Sequence, residues 1–182
     1  SSIMNYPLGG AFNSRLNLYL REDKGWTYGA RSNFDGDKYG GDYTFSAGIK
    51  ADATDSALAD VLRIVSEYRT KGATAEELAF TQSSMTQSEA RKYETGFQKA
   101  GFLNNILTYH LPADYTEQQN AILKGLTVKD IGMLADKFLP AQDKLVVLLV
   151  GDKASLADKI KAKGFEIVEL DKEGKIISQS GR

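Results

Sequence analysis

The fold is decided by residues 8–32, LGGAFNSRLNLYLREDKGWTYGARS, in which a helical pattern gives way to a strand pattern. Apolar residues recur at helical spacing from Phe12 to Leu20, with the core stripe on Phe12, Leu16 and Leu20. Gly25 follows a basic residue, which is typical of a helix end. We therefore expect a helix over about 14–24. A helical projection at 100° per residue places Arg21 away from the apolar stripe, so this side chain can face a cleft or water.

Two strand patterns follow this helix. In WTYGARSNF, from residue 26, Trp26, Tyr28 and Ala30 alternate with more polar positions and should share one face of the strand. A second alternation, YTFSAGI, covers 43–49, and the linker DGDKYGGD at 35–42 is rich in turn-forming residues. The sequence predicts an antiparallel hairpin.

The remaining patterns indicate helices and two further strand regions. Asp52 is expected to cap a helix that ends before Gly72. The capping box from Thr74 to Glu77 should begin a long second helix, which Gly96 and Gly101 could kink. This helix carries an apolar stripe at helical spacing, formed by Phe97, Ala100, Leu103 and Leu107. Two further helix N-terminal caps are expected, at Asp114 with Glu117 and at Thr127 with Asp130. The continuous apolar run at 144–150 predicts a strand covered on both faces. A helix at 155–163 and a terminal hairpin from residue 165 should follow. The predicted fold class is α+β, an antiparallel or mixed sheet with helices packed on one face.

Composition excludes several classes of protein. The 23 basic and 24 acidic residues are interspersed, which does not favour binding to nucleic acid. The longest apolar run, 145–150, is far shorter than the roughly 20 residues of a membrane-spanning helix, so we expect no membrane span. The chain has no cysteine, which excludes disulfides and thiolate chemistry and leaves the compartment open. We expect one domain over 1–182, cut at its N-terminal side.

Candidate catalytic groups are few. His110 is the only histidine, so a zinc site built from paired histidines cannot be assembled from this chain, and we expect His110 to be structural. No GxSxG elbow occurs, and the glycines at 40 and 41 fit no phosphate-binding pattern. Arg21 and Tyr28 remain, at the junction of the helix and the strand.

The ordered string Gly9-Gly10, Phe12 to Leu16, Leu20-Arg21-Glu22, Gly25 and Tyr28 resembles the C-terminal, non-catalytic domain of the insulinase/pitrilysin family of zinc metallopeptidases, the inverzincins. The likeness covers nearly the whole chain and is weaker after about residue 110. In that family two homologous α+β domains face each other, and the first carries the H-x-x-E-H motif that this chain lacks. The resemblance therefore implies an inactive half-domain, with zinc held only by a partner domain on the same or a separate polypeptide.

The resemblance also implies roles for two residues. At the positions of Arg21 and Tyr28, active relatives place an arginine and a tyrosine that reach across the cleft to the peptide carbonyl near the scissile bond. We therefore expect substrate binding at these two residues, no catalytic or metal-binding residue in this chain, and no hydrolysis by the chain alone.

Two other functions stay open from the sequence. One is a structural core-type subunit of a larger complex, because the same fold serves such a role; the other is a stand-alone peptide-binding module. A fragment with an incomplete sheet would expose an edge, so a homodimer is a further hypothesis. If the source is bacterial, either the periplasm or the cytoplasm would suit.

Overall fold

The structure is a computed structural model that describes residues 2–36 and 40–179. It confirms an α+β fold in which helices pack against a small antiparallel sheet. The elements are α1 (Ser2–Asn5), α2 (Arg15–Asn17), β1 (Thr27–Gly36), β2 (Gly41–Ile49), α3 (Thr54–Lys71), α4 (Ala75–Glu89), α5 (Gly96–Tyr109), α6 (Tyr115–Gly125), α7 (Val128–Phe138), α8 (Lys153–Ala162), β3 (Val168–Leu170) and β4 (Ile176–Gln179). Wider π-helical turns extend α1 over Tyr6–Gly10 and α2 over Leu18–Asp23.

The two predicted hairpins are confirmed. β1 pairs antiparallel with β2, and β3 pairs antiparallel with β4. The middle of the predicted linker, residues 37–39, lies outside the described residues. One face of β2 packs against the core with Tyr43, Phe45, Ala47 and Ile49, all partly buried. The helices cover this face.

The core lies between that sheet face and the helices. The helical spacing of Leu58, Val61, Val65 and Tyr68 predicts one apolar stripe on α3; Val61, Val65 and Tyr68 are buried, whereas Leu58 is half-buried. Leu16 and Leu20, from the sequence that opens the fold, are fully buried in the same cluster. Burial of this kind contributes about 1.5–3 kcal/mol for each large apolar side chain. It fixes the helix that leads into β1.

Two of the four predicted helix caps are confirmed. Thr74 and Glu77 cap α4, with the Thr74 N–H donating to Glu77 Oε2 at 2.7 Å. Thr127 forms the same reciprocal box at α7. Asp114 lies at the predicted N-cap position of α6, but its carboxylate accepts a side-chain hydrogen bond from Gln118 and caps no backbone N–H. Asp52 lies inside a 3₁₀ turn before α3 and does not cap that helix.

The predicted long helix is interrupted. A 3₁₀ turn at Ala90–Tyr93 ends α4, and Thr95 caps α5 as a separate helix. A capping box at Thr95 satisfies the N–H groups that a continuous helix would have bonded internally. The apolar stripe of α5 does not reach the core, since Phe97 is 90% exposed and Leu107 is 73% exposed.

The prediction of a covered strand at 144–150 is wrong. Lys144 ends a 3₁₀ turn, and residues 145–150 form no ladder with any strand in the described part of the chain. Val146 and Val150 are 96% and 94% exposed. A strand is defined by a neighbouring backbone, and an apolar run alone does not supply one. The helix after this segment begins at Lys153 rather than at the predicted residue 155.

Candidate functional site

Arg21 lies at a tight corner between the second helix and β1. It belongs to the π-helical turn Leu18–Asp23, a rare geometry that is frequent at functional sites. Gly25 then adopts a φ of 61°, which favours glycine, and its N–H donates to the Arg21 carbonyl at 3.1 Å. The Trp26 N–H donates to the Leu20 carbonyl at 2.9 Å. The helix end and the strand start are therefore fixed to each other by backbone hydrogen bonds.

The guanidinium of Arg21 rests on an aromatic ring. Its Cζ lies 4.6 Å from the centroid of the Phe12 ring, a cation–π contact that holds the planar group in place. Nε lies 3.6 Å from Oε1 of Glu22, too far for a strong hydrogen bond. Nη1 is buried and has no hydrogen-bond partner among the described residues. A buried N–H without an acceptor costs about 1–3 kcal/mol, so a ligand oxygen at this atom would be stabilised.

Phe12 differs from its prediction. The sequence pattern puts it on the core stripe with Leu16 and Leu20, but it is 65% exposed and lies under Arg21. The reason is that the helix begins only at Arg15, so Phe12 lies in the preceding connection and the helical spacing does not apply to it. Sequence reasoning therefore missed the platform beneath the candidate arginine.

Arg15, the other arginine of the segment, provides a contrast. It forms an ion pair with Glu77 through two nitrogens, and its Nη2 also donates to the Gly72 carbonyl at 3.1 Å. Burial acts to raise the pKa of Glu77, but hydrogen bonds from Arg15 and Thr74 outweigh it and hold that pKa below its ordinary value. Arg15 therefore has a structural role, whereas Nη1 of Arg21 has no hydrogen-bond acceptor among the described residues.

Tyr28 projects from a β-bulge. The register places Thr27 opposite Ile49 and Ala30 opposite Ala47, so β1 has one extra residue between these pairs. Thr27 and Ala30 are both buried, and Tyr28 is 100% exposed. The predicted sharing of a face by Tyr28 and Ala30 is wrong, because the bulge reverses the alternation between them. The Tyr28 hydroxyl has no hydrogen-bond partner among the residues that the structure describes.

The two predicted residues therefore lie on either side of one rigid corner, and neither is held by internal pairing that would remove it from a ligand. No hydrogen bond joins Arg21 to Tyr28 in the described ranges. Each can donate to an oxygen, Arg21 as a permanent cation and Tyr28 through a phenol.

Metal ligands do not cluster in the described part of the chain. Across residues 2–36 and 40–179, no three His, Asp or Glu side chains are arranged to hold an ion. His110 adopts a φ of 51° and ends α5. None of the described helices is both long enough and apolar enough to cross a membrane.

Comparison with known proteins finds similar domains. The family model of the peptidase M16 inactive domain matches residues 1–85, the segment that contains Arg21 and Tyr28. The crystal structure of a peptidase M16 inactive domain from Pseudomonas fluorescens is 28% identical, with a TM-score of 0.71 over 77% of this chain. The predicted resemblance to the inactive domain of this peptidase family is thus confirmed.

Two further proteins extend the comparison. The Helicobacter pylori protein named Non-peptidase homolog YmxG is 28% identical over 136 residues, which is 72% of this chain. A putative zinc protease from Bordetella pertussis Tohama I shares the fold, with a TM-score of 0.60 and 17% identity over 76% of this chain and 77% of that chain. The present chain spans only 30% of the length of YmxG and 34% of the P. fluorescens chain.

Proposed function

We propose that this chain is the non-catalytic half of a zinc metallopeptidase of the M16 family. It closes the peptide chamber of a homologous H-x-x-E-H domain, which holds the zinc, and it presents Arg21 and Tyr28 to the bound peptide. The observation that carries the proposal is the buried Nη1 of Arg21, which has no acceptor within the described chain although the guanidinium is fixed on Phe12.

The chemistry follows from the two donors. When water attacks a peptide carbonyl, the carbonyl oxygen gains negative charge. Donors fixed in advance around that oxygen stabilise the transition state more than the ground state, and each is worth on the order of 100- to 1000-fold in rate. The Arg21 cation on its aromatic platform is a fixed donor of this kind, and the unpaired Tyr28 phenol on the bulge can donate to the same oxygen when a peptide is bound. The zinc of the partner domain would polarise the same carbonyl and activate the water.

Kinetics of the assembled enzyme test the proposal. The chain is combined with its H-x-x-E-H companion, and Arg21→Ala and Tyr28→Phe are compared with wild type for cleavage of a fluorogenic peptide. Both variants should lower kcat and keep the unfolding midpoint. Arg63→Ala and Tyr109→Phe, at exposed arginine and tyrosine positions, serve as matched controls and should retain full turnover. Unchanged kcat in both site variants would refute the proposed role.

Partner capture tests the alternative of a structural subunit. The proposed function predicts that the tagged chain recovers a protein bearing H-x-x-E-H. Recovery of respiratory-chain subunits, without such a protein, would favour the scaffold. A scaffold also has no need for the unpaired donor at Arg21, which is why the peptidase role is preferred.

A further inference from the structure

We infer that Thr27 and Asn17 are positioning residues, which together hold the β1 bulge and keep Tyr28 outside the sheet. This inference rests on the proposed function only where it predicts an effect of Thr27 substitutions on kcat. Its structural part concerns the chain itself and can be tested without a partner or substrate.

Thr27 forms the closing contacts of the bulge. Its hydroxyl accepts a hydrogen bond from the Gly29 N–H at 3.1 Å. The same oxygen lies 2.8 Å from the Gly29 carbonyl and 2.7 Å from the Gly48 carbonyl, and its single proton can be donated to either one. The hydroxyl thus bonds backbone groups that the register shift leaves without a ladder partner. Valine has the same shape and lacks these bonds.

Asn17 secures the other end of the bulge. Its side chain is buried at 3% exposure, and Oδ1 accepts from the Ala30 N–H at 2.8 Å. Its Nδ2 donates to the Phe12 carbonyl at 2.7 Å. One amide therefore joins the strand just after Tyr28 to the segment that carries the platform of Arg21. An apolar residue at this position could make neither bond.

The bulge decides which way the tyrosine points. Ala30 and Ser32 face the interior, at 6% and 4% exposure. Without the extra residue, strict alternation would send Tyr28 to that same interior face and Thr27 to the solvent. The hydrogen bonds of Thr27 and Asn17 therefore favour the register in which the phenol is available to a ligand.

Chemical accessibility measures the register directly. Nitration by tetranitromethane, quantified by peptide mass spectrometry, gives the rate at Tyr28 relative to Tyr109, which is 50% exposed and serves as the internal reference. Thr27→Val should lower this ratio, because the loss of one net hydrogen bond shifts the equilibrium between the two registers about fivefold towards the one that buries Tyr28. Thr27→Ser keeps the hydroxyl and should restore the ratio. An unchanged ratio in Thr27→Val would overturn the inference.

Hydrogen exchange gives a second readout that does not depend on the tyrosine. In Thr27→Val, the Gly29 amide should exchange about fivefold faster at constant global stability, because its acceptor is lost. In Asn17→Asp, the acceptor for the Ala30 N–H remains but the donor to the Phe12 carbonyl is gone, so Ala30 should stay protected while the Phe12 segment loosens. Wild-type exchange at Gly29 in Thr27→Val would count against Thr27 as the closing residue.

Turnover separates this inference from the proposed function. If Tyr28→Phe and Thr27→Val both lower kcat and Thr27→Ser restores it, both stand. If Tyr28→Phe lowers kcat while Thr27→Val changes neither kcat nor nitration, the positioning inference fails and the proposed function survives. If Tyr28→Phe and Arg21→Ala are both silent but Thr27→Val still shifts nitration, the proposed function fails and the structural inference holds.

Discussion

Removal of one buried hydroxyl should measurably loosen the first helix from the core. The Tyr68 side chain on α3 is fully buried, and its hydroxyl donates to the Met4 carbonyl of α1 at 2.7 Å. The change Tyr68→Phe keeps the ring and all of its apolar contacts. It removes only the hydrogen bond that joins the two helices.

The size of the effect follows from the burial of both partners. Met4 is also fully buried, so water cannot replace the lost donor. A lost hydrogen bond costs about 1 kcal/mol net, and a buried group left unsatisfied costs about 1–3 kcal/mol. We expect Tyr68→Phe to lower the free energy of unfolding by about 1–2 kcal/mol. For a chain of this size that corresponds to a fall in Tm of about 2–8 °C.

Urea unfolding followed by circular dichroism measures this loss, with Tyr28→Phe as the matched control. The control removes a hydroxyl from a fully exposed side chain, so stability should change by less than about 0.5 kcal/mol. The reasoning is refuted if the two variants unfold at the same urea concentration. The m-value should stay constant, because the buried area does not change.

Three further predictions concern packing and pH. Gly9→Ala should destabilise the fold by roughly 1–3 kcal/mol, because its Cβ would overlap the Ser32 Oγ, whereas the added Cβ in Gly125→Ala meets nothing within 4 Å and should not destabilise; thermal unfolding compares the two variants. Because the pKa of Glu77 is lowered in the folded state, its ionised carboxylate stabilises the fold above about pH 4.3, and this stability is lost as the pH falls through the folded-state pKa. In Glu77→Gln, the urea midpoint of unfolding should therefore fall less steeply at acid pH than in the wild type, and an identical fall would contradict the prediction. Burial raises the pKa of Tyr43 to about 12, so its stabilisation should be complete below about pH 10 and fade up to about pH 12; unfolding of Tyr43→Phe should show a smaller alkaline decline, the remainder coming from Tyr68, whose pKa burial also raises.

Local sequence signals predicted much of the fold. Helix α3, both hairpins and the caps at Thr74 and Thr127 each follow from short-range chemistry that the residues carry themselves. The prediction of a strand at 144–150 was wrong because strand pairing is not a short-range property. The apolar run of that segment is suited to a strand, but pairing depends on a neighbouring backbone that no local pattern reveals.

The substrate-binding role of Arg21 and Tyr28 stays a prediction, and the local geometry of these two residues was not predicted. The family resemblance pointed to Arg21 and Tyr28 as candidate residues, and Gly25 indicated the helix end between them. The π-helical turn and the bulge add residues to the regular repeats, so any argument from a period of 3.6 or 2 misplaces the side chains beyond them. The bulge is why Tyr28 was assigned to the wrong face, whereas Phe12 was misplaced because the helix begins only at Arg15.

The central claim is that Arg21 and Tyr28 act on one oxygen of a bound peptide. A double-mutant cycle on kcat in the assembled enzyme tests it most directly, using Arg21→Ala, Tyr28→Phe and the double variant. The account predicts that each single change slows turnover and that the double variant loses less than the product of the two single losses, since both donors serve the same charge. A double variant whose loss equals the product of the two single losses would contradict it.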